Sequence, residues 1–485
     1  MVLPPYHSPE VSLYADTVAL TIDKRRVQLT SVLRDLPVGA FAIAAELAEL
    51  TGMWNPVELY TADNFEAERE KFLAAFRQGS DYQPVFRYGA AEHFDAASAR
   101  VLLEILRKRA NALPKRSNRD RLVRATLLGK IDDDLATCDI AQGIAAKDDA
   151  LVKRGCEAKY PGGDPSLMVF AKQTFERGLT HANEPHAVRG ELSDADRQYL
   201  STLRVSPREQ ADAFAWALKQ YGIFRADDDV KGDGFRVVLD ARATALDVRD
   251  KSAMGPVVVV PTMRDGSMTA KELCALVAHE IEGHARQAVN GMRLFKAAGG
   301  ALRTDDETLY EGLATRYEWD FMEKHFGEVR HDMYLSTLYV FAVDVAENGG
   351  SFADVFVDQV QRRMRVALKL SAESPLPEAS SVDPDAYDMC LQKAWRTTYR
   401  VMRGHTDTSN ARAFAMSKDL AYLRGWLMDR ELLKNNLGHA NEAAIMSAAG
   451  LQALGRVAIG PDDLPLKFKD VAPQYMRMLL AKRGA

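Results

Sequence analysis

Two histidines five positions apart bracket a glutamate near the middle of the chain, and this segment constrains the fold more than any other. Its sequence is His279-Glu280-Ile281-Glu282-Gly283-His284. On an ideal α-helix, residues four apart lie within about 40° of one another, whereas residues five apart lie about 140° apart. A regular helix therefore cannot direct both imidazole rings at one metal ion. Gly283 lies inside the turn that must take up the extra residue, so we expect a π-bulge or wide turn at 281–284.

A third ligand is expected on a second helix, about thirty residues further along the chain. A catalytic zinc ion takes three protein ligands and leaves a fourth position open. Glu311, in a Glu-Gly-Leu-Ala segment, is the strongest candidate and falls in a helical pattern from Asp305 to Lys324. Glu307 and Glu318 lie on the same predicted helix and are alternatives. Glu282 is too close to the histidines to complete a tetrahedron, and a solvated or supporting role beside the ligands suits it better.

This set of side chains predicts hydrolytic chemistry. In such a scheme His279, His284 and Glu311 bind Zn²⁺, and Glu280 is the general base that takes a proton from zinc-activated water. A purely structural zinc site closes all four positions with Cys or His and has no use for Glu280. The sequence therefore favours a zinc metallopeptidase, with a non-catalytic regulatory zinc protein as the alternative from another class.

The zinc segment and the Glu-Gly-Leu-Ala segment together resemble the tyrosine carboxypeptidase family. This family includes the microtubule-associated tyrosine carboxypeptidases and bacterial flavohaemoglobin expression-modulating proteins with a QEGLA motif. The resemblance covers about residues 55–430 and includes 82–88, Asn290, 403–408 and 418–422. It implies a carboxypeptidase that removes a C-terminal residue from peptides or proteins. The sequence departs from the family pattern at two positions: Gly283 is at the fifth motif position, and Tyr310 stands where Gln or Glu is usual. These departures bear on the choice of substrate more than on metal binding.

The same resemblance supplies candidates for substrate binding. They lie in the stretches similar to the C-terminal motifs of the family, and they are Arg403, Lys418 and Tyr422. A cationic side chain suits the free carboxylate of a substrate, and a tyrosine hydroxyl suits a developing oxyanion. Other tyrosines stay open as the oxyanion donor, namely Tyr334, Tyr339 and Tyr399.

The position of the glycine also matches a second peptidase family. Dipeptidyl peptidase III carries the motif His-Glu-x-x-Gly-His, with the same spacing between its histidines. The glutamate helix of that family has a Glu-Glu-Cys-type motif, which this sequence lacks, and its chains are considerably longer. A dipeptidyl peptidase III-like enzyme, or an endopeptidase with the same zinc site, is therefore the second-ranked function.

Composition narrows the class of protein without naming its substrate. Charged residues make up 27% of the 485 residues and hydrophobic residues 47%, which is ordinary for a globular protein. The net charge of −5 gives no reason to propose nucleic acid or an anionic membrane as a partner. The four cysteines are scattered, so neither a disulfide framework nor a cysteine–zinc site is expected. No apolar run is long enough to span a bilayer and no signal peptide pattern is present, so we expect a cytoplasmic protein.

The residue pattern predicts a predominantly helical α+β fold with a zincin-like metallopeptidase core. Valine-rich stretches from Phe235 to Leu239 and from Pro256 to Pro261, with a weaker one from Ala243 to Val248, predict a small sheet before the metal helix. Val257 to Val260 is also interpreted as a strand that could pair with a substrate. We expect four parts: an N-terminal leader and helix (1–54), a helical region (55–230), the catalytic core (231–430) and a C-terminal helical extension (431–485).

A basic stretch between residues 107 and 124 is the remaining feature of note. It contains Arg107, Lys108, Arg109, Lys115, Arg116, Arg119, Arg121 and Arg124. The favoured interpretation is a solvated helix face and turn, since runs of like charge are usually solvated. The alternative is a docking site for an acidic peptide.

Overall fold

Helices dominate the computed structural model of this protein, which confirms the predicted fold class at that level. The structure describes residues 38–51, 54, 56–116, 118–160, 162–163, 165–181, 190–226, 234–241, 246–249, 256–262, 268–286, 288–289, 307–327, 334–405, 408–409, 414–434, 466 and 469–483. Asn290, proposed as part of the family resemblance, lies outside them, as do 406–407. Every structural statement below concerns the described part of the chain.

Ten helices precede the sheet in the described part of the chain. They are α1 (Val38–Thr51), α2 (Pro56–Leu59), α3 (Phe65–Arg77), α4 (Gly89–His93), α5 (Ala96–Asn111), α6 (Asn118–Ala146), α7 (Asp149–Lys159), α8 (Pro165–His181), α9 (Asp194–Thr202) and α10 (Pro207–Tyr221). Polar caps explain where several of them begin. Ser206 forms a capping box with Glu209 at the start of α10, and Asp95 accepts a hydrogen bond from the backbone of Ser98 at the start of α5.

A three-stranded sheet follows, and two of the predicted strands are confirmed with shifts of one residue at their ends. The weaker one, predicted from Ala243 to Val248, overlaps the observed strand only at Asp247 and Val248, and 243–245 lie outside the described residues. Its strands are β1 (Arg236–Asp240), β2 (Asp247–Arg249) and β3 (Val257–Pro261), in the order β1-β3-β2. β3 pairs with β1 in parallel and with β2 in antiparallel orientation. All five residues of β3 are buried, as expected for the central strand of a covered sheet.

The interpretation of β3 as a strand that pairs with a substrate is wrong. β1 occupies one edge of β3 along its whole length, and β2 occupies the other edge from Val257 to Val259. A strand with both rows of backbone groups already hydrogen bonded cannot accept another strand. Within the described sheet, β2 is an edge strand, and it lies against the helical segment that carries His279 and His284.

The helix after the sheet begins regularly and then widens. α11 (Ala270–Leu276) starts from a capping box between Thr269 and Glu272. It continues without interruption into a π-helix, Val277–Ala285. The wide turn predicted at 281–284 is therefore confirmed, and it extends over a longer segment than expected.

Six further helices complete the described fold. They are α12 (Glu307–Phe326), α13 (Tyr334–Glu347), α14 (Phe352–Ala367), α15 (Pro384–Val401), α16 (Leu420–Lys434) and α17 (Val471–Arg483). α12 confirms the helix expected to carry Glu311. The proposed division of the chain into four parts stays a prediction.

Two buried apolar clusters meet at α12. The first contains side chains of α3 and α13 to α16, including Trp395. The second contains side chains of α10, the sheet, the π-helix and α17, including Phe321 of α12. Trp319, two residues earlier on α12, packs against the first cluster instead. α12 therefore has the π-helix on one side and α16 on the other.

The basic stretch lies on α5, α6 and the turn between them. Arg107 pairs with Asp132, and Arg109 pairs with Glu46, in both cases with exposed side chains. Exposed ion pairs of this kind contribute about 0–1 kcal/mol to stability. These contacts favour the interpretation as a solvated helix face.

All four cysteines are buried, and each of them is free. Cys274 precedes the π-helix and packs in the second apolar cluster. Within the described ranges, no helix has the length and apolar character needed to cross a membrane.

Candidate metal centre

Three of the predicted ligands converge on one point. The Nε2 atoms of His279 and His284 each lie 3.4 Å from the Oε2 atom of Glu311. One ligand atom from each residue lies within 4.8 Å of the others. A tetrahedral ion with bonds of about 2.0–2.1 Å separates its ligand atoms by roughly 3.4 Å, so the observed spacing suits an N₂O site of this type.

The π-helix is what brings the two histidines together. Its hydrogen bonds join residues five apart, so residues at that spacing lie on the same side of the helix. The ring centroids of His279 and His284 are accordingly 5.0 Å apart, with the rings at 72° to each other. The fifth residue of spacing would separate the two histidines on a regular helix, and the wider turns of the π-helix accommodate it.

Two glycines allow the elements around the centre to approach closely. A Cβ atom on Gly283 would lie 2.8 Å from the Cβ atom of Ala314 on α12. A Cβ atom on Gly312 would lie 2.2 Å from the backbone carbon of Gly425 on α16. Only glycine fits at such distances, so the π-helix, α12 and α16 meet backbone to backbone beside Glu311.

The electrostatics of the three residues favour a positive charge between them. Burial raises the pKa of the Glu311 carboxyl, but His284 and His279 outweigh it, so the pKa lies well below its usual range. Burial opposes protonation of His279, but Glu311 and Glu318 outweigh it and raise its pKa well above the usual range. The buried Oε2 atom of Glu311 has no hydrogen-bond partner of normal geometry among the described residues. A proton or a metal ion would satisfy this arrangement.

Glu318 orients one of the two histidines. Its Oε2 atom lies 3.0 Å from Nδ1 of His279, and Glu318 follows Glu311 by about two turns of α12. The sequence presents Glu318 as an alternative third ligand, whereas the structure places it on the far nitrogen of the ring. A carboxylate at Nδ1 holds the proton there and leaves Nε2 free to bind a metal. The side chain of Glu307, the other alternative, lies outside the described residues.

Glu280 and Glu282, the two glutamates of the histidine motif, are both buried. Glu280, the proposed general base, follows His279 directly in the π-helix and is 9% exposed. Glu282 is 1% exposed and accepts a hydrogen bond from the backbone of Val471 at the start of α17. Burial raises the pKa of Glu282 to about 7. Of the two roles expected for Glu282, the solvated one is therefore wrong, because this buried side chain joins the π-helix to α17. The supporting role beside the ligands stays a prediction.

Tyr422 is the substrate-binding candidate that lies at the centre. Its ring centroid is 6.5 Å from that of His279. The negative charge of Glu311, together with burial, raises the pKa of the Tyr422 hydroxyl well above its usual range. The hydroxyl therefore stays protonated at neutral pH and can donate a hydrogen bond.

Near Tyr422 lies a partly buried arginine that the sequence analysis missed. Arg400 donates two hydrogen bonds to the carboxylate of Asp419 and one of 3.3 Å to the hydroxyl of Tyr339, and it interacts electrostatically with Tyr422. Nothing in the local sequence distinguishes Arg400 from the many solvated arginines of the chain. Its neighbours lie on α13 (Tyr339), in the turn before α16 (Asp419) and on α16 itself (Tyr422).

The other candidates lie in different surroundings. The guanidinium of Arg403 lies 5.5 Å from the ring centroid of Tyr399, and no contact within the described ranges joins Arg403 to the three ligand candidates. Lys418 lies in the 3₁₀ turn Ser417–Asp419, immediately before the carboxylate that binds Arg400. Their roles in substrate binding stay predictions.

The three alternative tyrosines also differ in their contacts. The Tyr399 hydroxyl accepts a hydrogen bond of 2.6 Å from the backbone of Ala62, which indicates a structural role. Tyr339 contacts Arg400. The side chain of Tyr334 lies outside the described residues.

Comparison with known proteins adds no assignment to this geometry. No family model matches the chain, and no curated protein matches it.

Proposed function

We propose that this protein is a zinc-dependent metallopeptidase, with His279, His284 and Glu311 as the metal ligands. The observation that carries the proposal is the 3.4 Å spacing of Glu311 Oε2 from both imidazole Nε2 atoms. Both histidines offer the same ring nitrogen, and the carboxylate comes from a separate helix. This donor set of two imidazoles and one carboxylate is the one used by zinc hydrolases, and it leaves a fourth position open.

Each neighbouring side chain has a separate task in this proposal. Bound zinc would supply Lewis-acid polarisation of the scissile carbonyl and activation of water. Glu280 acts as the general base, because it is next to a ligand in sequence and is largely withdrawn from solvent. The protonated hydroxyl of Tyr422 stabilises negative charge on the substrate oxygen. Glu318 holds the His279 ring in orientation.

The polarity of cleavage rests on the resemblance to the tyrosine carboxypeptidase family. On that basis the substrate is the C-terminus of a peptide or protein, and the reaction removes one C-terminal residue. The zincin-like core is part of the same proposal, supported by a small sheet that leads directly into the metal helix. The described sheet has two edge strands, β1 and β2, and β2 is the one proposed to pair with a substrate because it lies against the π-helix.

The glycine that pointed to dipeptidyl peptidase III has a structural explanation in this chain. Gly283 packs against Ala314 at a distance that excludes a Cβ atom. Its position in the motif therefore follows from the packing of two helices and does not require that family. A release of N-terminal dipeptides would nevertheless favour the second-ranked function.

The substitution Glu280→Gln tests the catalytic part of the proposal. Glutamine keeps the size of the side chain but cannot accept the proton, so turnover should fall by at least about a hundred-fold. The zinc content, measured by atomic absorption after dialysis, should stay at the wild-type level. In a regulatory zinc protein without catalytic activity, Glu280→Gln should leave the function of the protein unchanged.

The substrate class is tested with a peptide library of diverse C-termini, incubated with the zinc-loaded protein and analysed by mass spectrometry. The expected products are peptides shortened by one C-terminal residue. Internal cleavage, or loss of N-terminal dipeptides, would contradict the proposed polarity while leaving the metallopeptidase assignment in place.

A further inference from the structure

Arg286, the residue that follows the π-helix, is an arginine buried in the interior of the protein. It is 1% exposed. Its Nε atom donates a hydrogen bond of 2.8 Å to the backbone carbonyl of Glu282, and its Nη2 atom donates one of 2.7 Å to the hydroxyl of Tyr317 on α12. The guanidinium carbon also lies 5.3 Å from the centroid of the Tyr317 ring. Burying a charge is costly unless hydrogen bonds compensate for it, so these contacts are what makes an arginine acceptable here.

The Glu282 carbonyl lies where the backbone hydrogen bonding of the helix changes. The π-helix ends at Ala285, and Arg286 and 288–289 are α-helical. The backbone N–H of Arg286 still donates to the carbonyl of Ile281, five residues back. Hydrogen bonds of an α-helix span only four residues, so one carbonyl is passed over where the span shortens from five to four. The carbonyl next in order after Ile281 is that of Glu282, and the Arg286 side chain supplies a donor to it.

The length of the π-helix decides where the two histidines point. Residues five apart share one side of a helix only where its hydrogen bonds span five residues. In a regular α-helix the side chains of His279 and His284 would point about 140° apart, whereas their ring centroids here are 5.0 Å apart. A side chain that stabilises the end of the π-helix therefore also keeps the two imidazole rings together.

The second hydrogen bond of Arg286 connects the π-helix with α12 beside the centre. Tyr317, which accepts this bond, directly precedes Glu318 in the chain. The Oε2 atom of Glu318 lies 3.0 Å from Nδ1 of His279. Arg286 thus joins the end of the π-helix to the turn of α12 that orients one of the two imidazole rings.

We propose that Arg286 is a positioning residue, which fixes the end of the π-helix and thereby directs both histidines at one metal ion. The inference rests on the metal site of the proposed function and adds the group that holds its backbone in place. A guanidinium suits this task because its rigid, planar fork directs several N–H groups at once, whereas a lysine ammonium is a point charge on a flexible stem. Loss of Arg286 should weaken metal binding as well as the fold.

The test compares the metal binding of Arg286→Met and Arg286→Lys with that of the wild-type protein. Methionine keeps an apolar stem but removes every donor, so zinc affinity, measured against a chromophoric chelator, should fall about 10–100-fold, the range for partners of metal ligands. Lysine keeps the charge and one donor group, so its loss should be smaller. Tyr317→Phe, which removes only the acceptor on α12, should also cause a smaller loss than methionine.

The visible spectrum of bound Co²⁺ separates positioning from a general loss of stability. Co²⁺ takes the place of zinc, and its absorption reports the geometry of its ligands. In Arg286→Met the spectrum should change, because one imidazole no longer points at the ion. A residue that only stabilised the fold would leave the spectrum of the bound ion as it is in the wild-type protein.

The matched control is Arg362→Met on α14. Arg362 is also hydrogen bonded, to Asp358, and its guanidinium lies 3.7 Å from the ring centroid of Phe341. This substitution should lower the free energy of unfolding, measured by chemical denaturation, but leave zinc affinity and the Co²⁺ spectrum unchanged. If Arg286→Met does not fold, Arg286→Lys and Tyr317→Phe carry the test, and each should still bind zinc more weakly than the wild-type protein.

The outcomes separate this inference from the proposed function. If the folded Arg286 variants keep the zinc affinity and the Co²⁺ spectrum of the wild-type protein, Arg286 has no positioning role, even when the wild-type protein hydrolyses peptides. If metal binding depends on Arg286 but the wild-type protein hydrolyses no peptide, the inference stands and the peptidase proposal fails. A wild-type protein that binds neither zinc nor Co²⁺ would overturn both.

Discussion

At the scale of single residues, His279 is held through both of its ring nitrogens. Nε2 lies 3.4 Å from Glu311 and Nδ1 lies 3.0 Å from Glu318. The two carboxylates therefore have different places at the ring, since Glu311 lies with the two Nε2 atoms in the candidate metal site and Glu318 sets the tautomer and the orientation of the ring. Sequence analysis suggested both glutamates as possible ligands but could not divide the roles, because the division depends on which ring nitrogen each one faces.

Glu318→Gln is predicted to weaken zinc binding without abolishing it. The amide can still occupy the space beside Nδ1, but it no longer supplies the negative charge that makes the imidazole a better ligand. Loss of such a partner typically costs about 10–100-fold in metal affinity. Competition with a chromophoric chelator measures this change.

The matched control for Glu318→Gln is Asp320→Asn, an exposed carboxylate two residues away on α12. It removes the same charge without removing a contact to the His279 ring. Equal zinc affinities for all three proteins would contradict the role assigned to Glu318.

At the scale of helices, the centre depends on a backbone that deviates from the regular α-helix and on glycines that let its neighbours approach. The motif spacing predicted the widened turn, because two histidines five apart cannot otherwise face one ion. The close approach of α12 and α16 was not predictable. Gly312 looks like part of a motif in the sequence, and only its distance from Gly425 shows that a side chain has no room there.

Gly312→Ala is predicted to destabilise the fold and to impair the metal site. The added Cβ atom would lie 2.2 Å from backbone of α16, which cannot move aside as a flexible side chain would. Overpacking of this kind costs about 1–3 kcal/mol. Chemical denaturation measures the free energy of unfolding, and zinc content reports on the site.

The control is Gly129→Ala, a glycine in the interior of α6 whose added Cβ atom would meet nothing within 4 Å. Alanine there should stabilise the protein by about 0.5–1 kcal/mol, since it favours the helix. A Gly312→Ala variant as stable as the wild type would show that α12 and α16 are not in close contact.

At the scale of the whole molecule, the centre lies where two apolar clusters meet. The π-helix belongs to one cluster, α16 belongs to the other, and α12 carries Glu311 between them. Glu282 ties the metal helix to α17 as well, through the backbone of Val471. Metal binding should therefore stabilise contacts between parts of the chain that are far apart in sequence.

Zinc is accordingly predicted to raise the temperature of unfolding. A ligand that binds only the folded state at a hundred times its dissociation constant stabilises it by about 2.7 kcal/mol. Scanning calorimetry of the chelator-treated protein with and without added zinc measures the shift. His284→Ala, which lacks one ligand, should show a much smaller shift, and equal shifts in both proteins would argue against the assigned site.

The sequence by itself determined which residues are the candidate ligands and how the backbone around them must turn. His279, His284 and Glu311, the widened turn and the sheet before the metal helix all follow from spacing and residue type, which act over short distances. Only the tertiary structure placed Glu318 at Nδ1 of His279, brought Arg400 next to Tyr339, and gave β3 a partner strand on each side. Each of these depends on which groups from distant segments are close and which are already hydrogen bonded, and chain folding alone sets those distances.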